Sequence, residues 1–302
     1  MSSLISMGQK AKEASYELGV ASPGQKNEAL TFMAEELIKA KEEIIKANEI
    51  DRQNAIKKGI TDALLDRLSL DDSRIEAMAQ GLLDIVKLQD PVGEVTNMWQ
   101  MPNGLEIGQK RVPIGVLGII YESRPNVTSD AAGLCLKSGN AVILRGASDA
   151  INSNKAVAKA LVAGIKRSGL PQDCVQLLED TSRETAREMM RLNNYIDVLI
   201  PRGGAGLIKS VVQNATVPVI ETGTGNCHIF VDETADLEMA KAIVLNAKVQ
   251  RPGVCNAAEK LLVHESIANE FLPTIVKALR ENGVEVRGCD KAQAIVDDIK
   301  VI

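Results

Sequence analysis

Between residues 112 and 222, short apolar runs alternate with helical patterns, and this alternation is the feature that most limits the possible folds. The runs are continuously apolar, as expected for strands of a parallel sheet that helices cover on both faces. The predicted strands are Ile114–Ile120, Ala141–Leu144, Cys174–Leu178, Tyr195–Ile200 and Pro218–Ile220. The predicted helices lie near 128–138, 150–168, 181–192 and 204–214. The sequence therefore predicts an α/β fold whose ligands bind at the carboxyl ends of the strands.

The segments on either side of this core have their own patterns. Residues 1–90 are mostly helical in period, with one helix opening at Ser22-Pro23 and a second predicted over about 61–87. Residues 91–112 hold two short strand candidates around the turn Pro102-Asn103-Gly104. A hairpin with few apolar residues is not stable alone, so it must lie either on its own domain or on another subunit.

After about residue 222 a second strand–helix pattern begins. Its predicted strands are 228–231, 260–263 and 284–287, and its predicted helices are 236–247, 266–281 and a last one from Asp290 to Ile302. Two or three strands make a thin sheet, so this second lobe is predicted to be incomplete within the given chain.

Composition and charge exclude several classes of protein. The net charge is −5 and only 2% of the residues are aromatic, which argues against a nucleic-acid surface. No run approaches the length that crosses a bilayer, and Met1–Lys12 lacks the apolar core of a secretory signal. Five cysteines without C-x-x-C spacing and only two histidines predict free thiols, no metal site and a cytoplasmic enzyme.

Cys255 is the first candidate for chemistry, because it lies in a turn between a helical pattern and a strand candidate. Free cysteines are more often small buried hydrophobes than nucleophiles. The turn, with Pro252 and Gly253 before the thiol and Asn256 after it, favours the nucleophile, since backbone N–H groups there can face a ligand. The other four cysteines are interpreted as structural.

Two further polar residues follow apolar strands. Glu221 ends a short run and precedes Gly223 and Gly225, so it either faces a crevice that a ligand approaches closely or is a solvated loop acid, which is the commoner case. Asn126 follows the strand 114–120 and either donates its amide to a ligand oxygen or caps the next helix.

Two glycine-containing turns also follow strands of the predicted sheet. Arg145-Gly146 ends one strand and Arg202-Gly203-Gly204 ends another, so each places an arginine where a phosphate could bind. Neither turn matches a G-x-G-x-x-G fingerprint. Because both turns lie at the same edge of the predicted sheet, together they predict a site that binds a dinucleotide cofactor.

Several of these segments resemble the aldehyde dehydrogenase superfamily, and within it the gamma-glutamyl phosphate reductases (glutamate-5-semialdehyde dehydrogenases). The matching blocks are 111–116, 121–128, 136–146, 199–204, 220–223 and 250–257. They occur in the family's order over essentially the whole chain. The resemblance implies an aldehyde dehydrogenase-like fold with a parallel-sheet cofactor domain, an α/β catalytic domain and an oligomerisation hairpin.

The resemblance also implies the reaction. The Cys255 thiolate would attack the acyl carbon of L-glutamyl 5-phosphate, and NADPH would reduce the thioester to L-glutamate 5-semialdehyde in the second step of proline biosynthesis. Asn126 matches the family's oxyanion-hole asparagine and acts with the Cys255 backbone N–H. Glu221 matches a general base of hydrolytic relatives, and is expected here to tune the thiol or orient other groups.

The cofactor residues implied by the resemblance lie in the two glycine-containing turns. Arg145 takes the place of a lysine that contacts the adenosine ribose in relatives. The other expected cofactor residues are Gly146, Ser148, Arg202, Gly203 and Gly204. An arginine without a following ribose-binding acid favours NADP(H) over NAD(H). Arg124 and Arg251 are expected to bind the substrate carboxylate, on charge alone.

The implied organisation is an NADP-binding domain of residues 1–94 and 114–221, a hairpin of 95–113, and a catalytic domain of 222–302 that lacks its C-terminal part. The implied partners are a second copy of the chain and, functionally, glutamate 5-kinase; no nucleic acid or membrane is expected. The alternatives are a hydrolytic or CoA-acylating aldehyde dehydrogenase, and an inactive fragment that keeps only the fold.

Overall fold

The computed structural model of the protein describes residues 3–223 and 225–301, apart from the side chains of Ser3, Asp62 and Ala63. The chain divides into two compact units, Met1–Thr222 and Gly223–Ile302. Each unit has its own hydrophobic core.

Five helices come first in the larger unit. They are α1 (Ser3–Gly19), α2 (Pro23–Lys39), α3 (Lys41–Lys57), α4 (Asp62–Leu68) and α5 (Asp72–Lys87). The prediction for α2 is confirmed at its start, where Ser22 and Gln25 form a capping box before Pro23.

The prediction of one helix over 61–87 was wrong, because the chain breaks between α4 and α5. Asn48 of α3 donates its amide to the Leu68 carbonyl and accepts from the Leu70 N–H, each at 2.8 Å. Asp71 then caps α5 by accepting from the Arg74 N–H at 2.8 Å. Asn48 satisfies buried backbone groups that a continuous helix would have paired internally, so a distant side chain decides this break.

A hairpin separates the helices from the sheet. Strands β1 (Val95–Gln100) and β2 (Glu106–Lys110) pair antiparallel. Nearly every residue of the hairpin is exposed, and the exposed side chains include Met98, Trp99 and Leu105. The predicted hairpin is confirmed, with its strands shifted by a few residues.

A parallel sheet forms the centre of the larger unit, in the strand order β5-β4-β3-β6. Its strands are β3 (Val116–Tyr121), β4 (Ala141–Arg145), β5 (Val175–Leu177) and β6 (Val198–Arg202). The helices α6 (Asn126–Lys137), α7 (Ile151–Arg167), α8 (Arg183–Met189) and α9 (Ala205–Asn214) follow these strands in turn. The predicted strand Pro218–Ile220 is reduced to a single bridge between Val219 and Leu199.

The start of β3 is tied to helix α1 by a charged contact. Asp197 accepts two hydrogen bonds of 2.8 Å from the Lys12 ammonium, and a third of 2.8 Å from the Val116 N–H. Gly115 precedes this strand with φ +127°, and a Cβ there would collide with the Asp197 carboxylate. Residue 115 must therefore be glycine for both conformational and packing reasons.

The smaller unit has a two-stranded parallel sheet of β7 (His228–Val231) and β8 (Lys260–Val263). Helices α10 (Leu237–Val249) and α11 (Ala268–Glu281) follow these strands and bury Val244, Phe271 and Ile275. The unit continues through β9 (Arg287–Gly288), α12 (Asp290–Ile295) and β10 (Lys300–Val301). The predicted helix over 290–302 was wrong beyond Ile295, since β10 pairs with β9, and Ile302 lies outside the described residues.

Within the described part of the chain, no helix is both long and apolar enough to cross a membrane.

We predict that Gly164→Ala will destabilise the larger unit. A Cβ on Gly164 of α7 would lie 2.7 Å from the Phe32 carbonyl carbon, so α7 and α2 could not keep their close approach. Overpacking of this kind costs about 1–3 kcal/mol of unfolding free energy, measured by urea denaturation. Gly206→Ala in α9 is the matched control, because nothing lies within 4 Å of its added Cβ. An equal loss of stability in both variants would contradict the packing explanation.

Candidate active site

Asn126 is the first residue of α6 and follows β3 through a short turn. The N-cap residue is Pro125, and Asn126 does not cap the helix with its side chain. Its amide nitrogen instead donates to the Asp130 carboxylate at 3.0 Å, one helical turn later. Part of the Asp130 side chain is exposed, yet the protein atoms around its carboxylate raise its pKa, and the Asn126 hydrogen bond offsets part of that rise.

A buried polar chain lies behind this turn and beside Gly146. The Tyr121 hydroxyl is 2.7 Å from the Thr128 hydroxyl, which donates to the side-chain amide oxygen of Asn154 at 3.0 Å. Burial raises the pKa of Tyr121, so its phenol stays protonated. A Cβ at Gly146 would collide with the Asn154 amide and meet the Tyr121 ring at 3.1 Å. Packing inside the protein therefore requires glycine at this position.

Arg145 ends β4 with its guanidinium half-buried. Its Nη2 donates to the Thr181 carbonyl at 2.7 Å and to the Ser182 carbonyl at 3.4 Å. Burial lowers the pKa of Arg145, and the nearby Asp180 opposes that shift. The guanidinium is thus held at the edge of the sheet by the turn after β5.

Ser148 is exposed in the 3-10 turn that precedes α7. The acid next to it, Asp149, pairs with Lys58 at 2.7 Å. Lys58 and Asp149 lie far apart in the chain, so no local pattern indicates this pair.

Arg202, Gly203 and Gly204 connect β6 to α9 and are all exposed. The Gly204 N–H already donates to the Glu122 carboxylate at 3.0 Å, and a Cβ at Gly203 would lie 2.6 Å from the carboxyl carbon of Glu122. The Glu122 carboxylate therefore accepts the hydrogen bond of a backbone N–H at the start of α9. The sequence predicts a cofactor phosphate as the acceptor at this place. Glu122 was missed, and its position directly after an apolar strand was the available signal.

Glu221 and the two other predicted arginines lie in irregular segments. Glu221 is exposed, and within the described residues it forms no hydrogen bond or ion pair. Arg124 is half-buried in the turn before Asn126, where its N–H donates to the Glu122 carbonyl at 2.7 Å. Arg251 is exposed at the start of the Cys255 turn, and its carbonyl accepts from the Val254 N–H.

Cys255 is exposed in the turn between α10 and β8, as predicted. The segment before β7 holds this turn in place. The Cys227 carbonyl accepts from the N–H groups of Glu259 and Lys260 at 2.9 and 3.1 Å, and the Cys227 thiol donates to the Cys255 carbonyl at 3.5 Å. Within the described residues the Cys255 N–H has no acceptor, so it is available to an oxygen of a ligand.

The remaining cysteines differ in exposure. Cys135 and Cys174 are buried as predicted, and burial raises the pKa of each thiol to about 12. Cys227 is half-buried, whereas Cys289 is exposed. Among the described residues, no group of three or more His, Cys, Asp and Glu side chains could hold a metal ion.

Comparison with known proteins shows the family. The model of the aldehyde dehydrogenase family matches residues 4–287. The gamma-glutamyl phosphate reductase of Clostridium beijerinckii is 69% identical over 300 residues, which cover 99% of this chain and 72% of that protein. The crystal structure of gamma-glutamyl phosphate reductase from Thermotoga maritima has a TM-score of 0.92 and 52% identity, over 99% of this chain and 72% of that one. The yeast enzyme of the same name, from Saccharomyces cerevisiae, has a TM-score of 0.69 and 32% identity over 97% and 73%.

The chain belongs to the aldehyde dehydrogenase family, among the gamma-glutamyl phosphate reductases. Membership confirms the resemblance and the α/β fold predicted from the sequence. It also makes the chain an oxidoreductase that uses a nicotinamide cofactor and acts on a small molecule. The roles of individual site residues remain predictions.

We predict that iodoacetamide will modify the folded protein at Cys255 and Cys289 before Cys135 and Cys174. Exposure admits the reagent at the first two residues, and the raised pKa values of the buried pair keep their thiols protonated. Peptide mass spectrometry after timed quenching measures each rate. Cys289→Ser is the matched control, because it removes an exposed thiol of the same unit and leaves the Cys255 turn intact. Labelling of Cys135 at the rate of Cys255 would contradict the described burial.

Proposed function

We propose that the protein reduces L-glutamyl 5-phosphate to L-glutamate 5-semialdehyde and phosphate, the second step of proline biosynthesis from glutamate. The observation that carries this proposal is the exposed Cys255 thiol in a turn whose own N–H has no internal acceptor. Close relatives named gamma-glutamyl phosphate reductase support the substrate.

In the proposed reaction, the Cys255 thiolate attacks the acyl carbon and a C–S bond forms. The C–O bond to phosphate breaks, phosphate leaves with the electron pair, and a thioester remains on Cys255. Negative charge develops on the acyl oxygen during this step, and we assign the Cys255 N–H and the Asn126 amide as its donors. Loss of one such donor costs about 10²–10³ in rate.

The proposed cofactor is NADP(H), which supplies the hydride that converts the thioester to the aldehyde. The described residues fit a dinucleotide, since Arg145 and the exposed turn Arg202–Gly204 lie at the carboxyl ends of β4 and β6. Asp149 is the nearby acid that could otherwise bind the 2′-hydroxyl of NAD(H), and it is paired with Lys58. This pairing supports the binding of a cofactor with a 2′-phosphate. Ser148 and Gly146 complete the proposed ribose site. At Gly204 a phosphate would take the place of the Glu122 carboxylate.

The remaining assignments rest on charge and exposure. Glu221 is proposed to tune the thiol or to orient groups around it, and Arg124 and Arg251 to bind the substrate carboxylate. The exposed apolar side chains of the hairpin suit association with a second copy of the chain. A cytoplasmic location and functional coupling to glutamate 5-kinase follow from the same proposal.

We predict that oxidation of L-glutamate 5-semialdehyde with NADP⁺ will require inorganic phosphate, because phosphate must release the acyl group from Cys255. Absorbance of NADPH at varied phosphate and at varied CoA measures this dependence. Cys255→Ser should lower turnover more than about a thousandfold, while Cys289→Ser leaves it unchanged. Turnover without phosphate would favour a hydrolytic enzyme, and turnover that needs CoA would favour an acylating one. No turnover under any of these conditions would favour a chain that keeps only the fold.

We predict that Arg145→Met will weaken the binding of NADPH more than the binding of NADH. Loss of a charge-assisted contact to the 2′-phosphate should raise the KM for NADPH about 10–100-fold and leave the KM for NADH within about twofold. Steady-state kinetics with each cofactor measures the difference. Lys159→Met is the control, because it removes a cation of α7 that pairs with Glu43. Equal losses for both cofactors would contradict the assignment of the 2′-phosphate to Arg145.

A further inference from the structure

No ion pair explains why the chain has a carboxylate at Asp130. Within the described residues it has no cationic partner, although its surroundings raise the pKa of its carboxyl. Its hydrogen bond is to the Asn126 amide, at 3.0 Å. Both side chains lie at the surface, where a hydrogen bond between a carboxylate and a neutral amide adds little to stability, so the main effect of Asp130 is on the orientation of that amide.

The amide of an asparagine can present either its nitrogen or its oxygen to a ligand. A rotation of the amide group by about 180° puts its acceptor oxygen where its two N–H donors were. An ionised carboxylate only accepts hydrogen bonds, so Asp130 holds the nitrogen of Asn126 toward itself and disfavours the rotated form. The second N–H of that nitrogen remains for a ligand oxygen. In the role proposed for Asn126, a rotated amide would offer the oxyanion an acceptor in place of a donor and would destabilise it.

The backbone around this pair is also held. Both residues belong to α6, so their spacing of four places them on one face of the helix. The Ser129 hydroxyl donates to the Asn126 carbonyl at 2.9 Å. The two Cα atoms therefore keep a constant separation, and the hydrogen bond can select one orientation of the side chain.

We propose that Asp130 is a positioning residue that keeps the Asn126 amide in the donor orientation during formation of the thioester. This inference rests on the proposed role of Asn126. Asp130 acts through Asn126, so its loss lowers kcat and leaves KM nearly unchanged.

The test is a double-mutant cycle of Asp130→Ala and Asn126→Ala in the full chain, with kcat and KM measured in the reductive direction. Asp130→Ala should lower kcat about tenfold in the native background and have almost no effect in the Asn126→Ala background, because residues that act through each other are not additive. Asp130→Asn keeps an acceptor oxygen at the same place and should restore kcat to within about threefold of the native value. Should the Ala variant fail to fold, Asp130→Leu replaces it, since leucine keeps the volume without the acceptor.

The control is Asp84→Ala, which breaks a hydrogen bond of the same kind together with an ion pair to Lys87. The Gln80 amide of α5 donates to Asp84 at 3.0 Å, also four residues later. This variant should leave kcat unchanged, and the rate of Cys255 alkylation should be unchanged in all variants because alkylation forms no oxyanion. An equal loss of kcat from Asp130→Ala in both backgrounds, or no loss in either, would overturn the inference. No effect of Asn126→Ala alone would instead overturn the proposed oxyanion role of Asn126, so the two failures are distinguishable.

Discussion

The parallel pairing of β3 with β4 on one side and with β6 on the other decides where chemistry can occur in the larger unit. Parallel strands end at the same edge of a sheet, so the turns after these three strands become neighbours. Asn126 and Gly204 lie where the following helices begin, and Arg145 is the last residue of β4. Burial of the strands under helices makes this arrangement rigid, and every residue of β3 is buried.

Three residues at this edge already bind a partner from the protein itself. Asn126 binds Asp130, Arg145 binds the carbonyls of the turn after β5, and the Gly204 N–H binds Glu122. Such partners have two consequences. They hold side chains in one orientation, which favours catalysis by preorganised dipoles. They also compete with a ligand wherever they occupy the same donor, as Glu122 does at Gly204.

The Cys255 turn of the smaller unit is held in place by contacts behind the thiol and not by a partner of the thiol itself. Its thiol is exposed, and the turn is held from behind through the Cys227 carbonyl and thiol. The backbone around the nucleophile is thus fixed without any contact that covers the sulfur. In each unit, neighbouring residues hold a candidate catalytic group in place and leave it exposed: the Asn126 amide in the larger unit and the Cys255 thiol in the smaller one.

The sequence by itself determined the alternation of strands and helices between residues 114 and 214, the parallel sheet and the exposed turn of Cys255, because these follow from local patterns of apolar residues and from turn chemistry. It also indicated the family, through short blocks that match in order. Only the tertiary structure decided the break between α4 and α5, the requirement for glycine at residue 146, and the partners Asp130, Lys58 and Glu122. Most of these features join residues far apart in the chain, such as Asn48 with Leu70 or Glu122 with Gly204. Asp130 is close to Asn126 in sequence, yet a spacing of four is common on any helix, and only the direction of the two side chains shows that they bind.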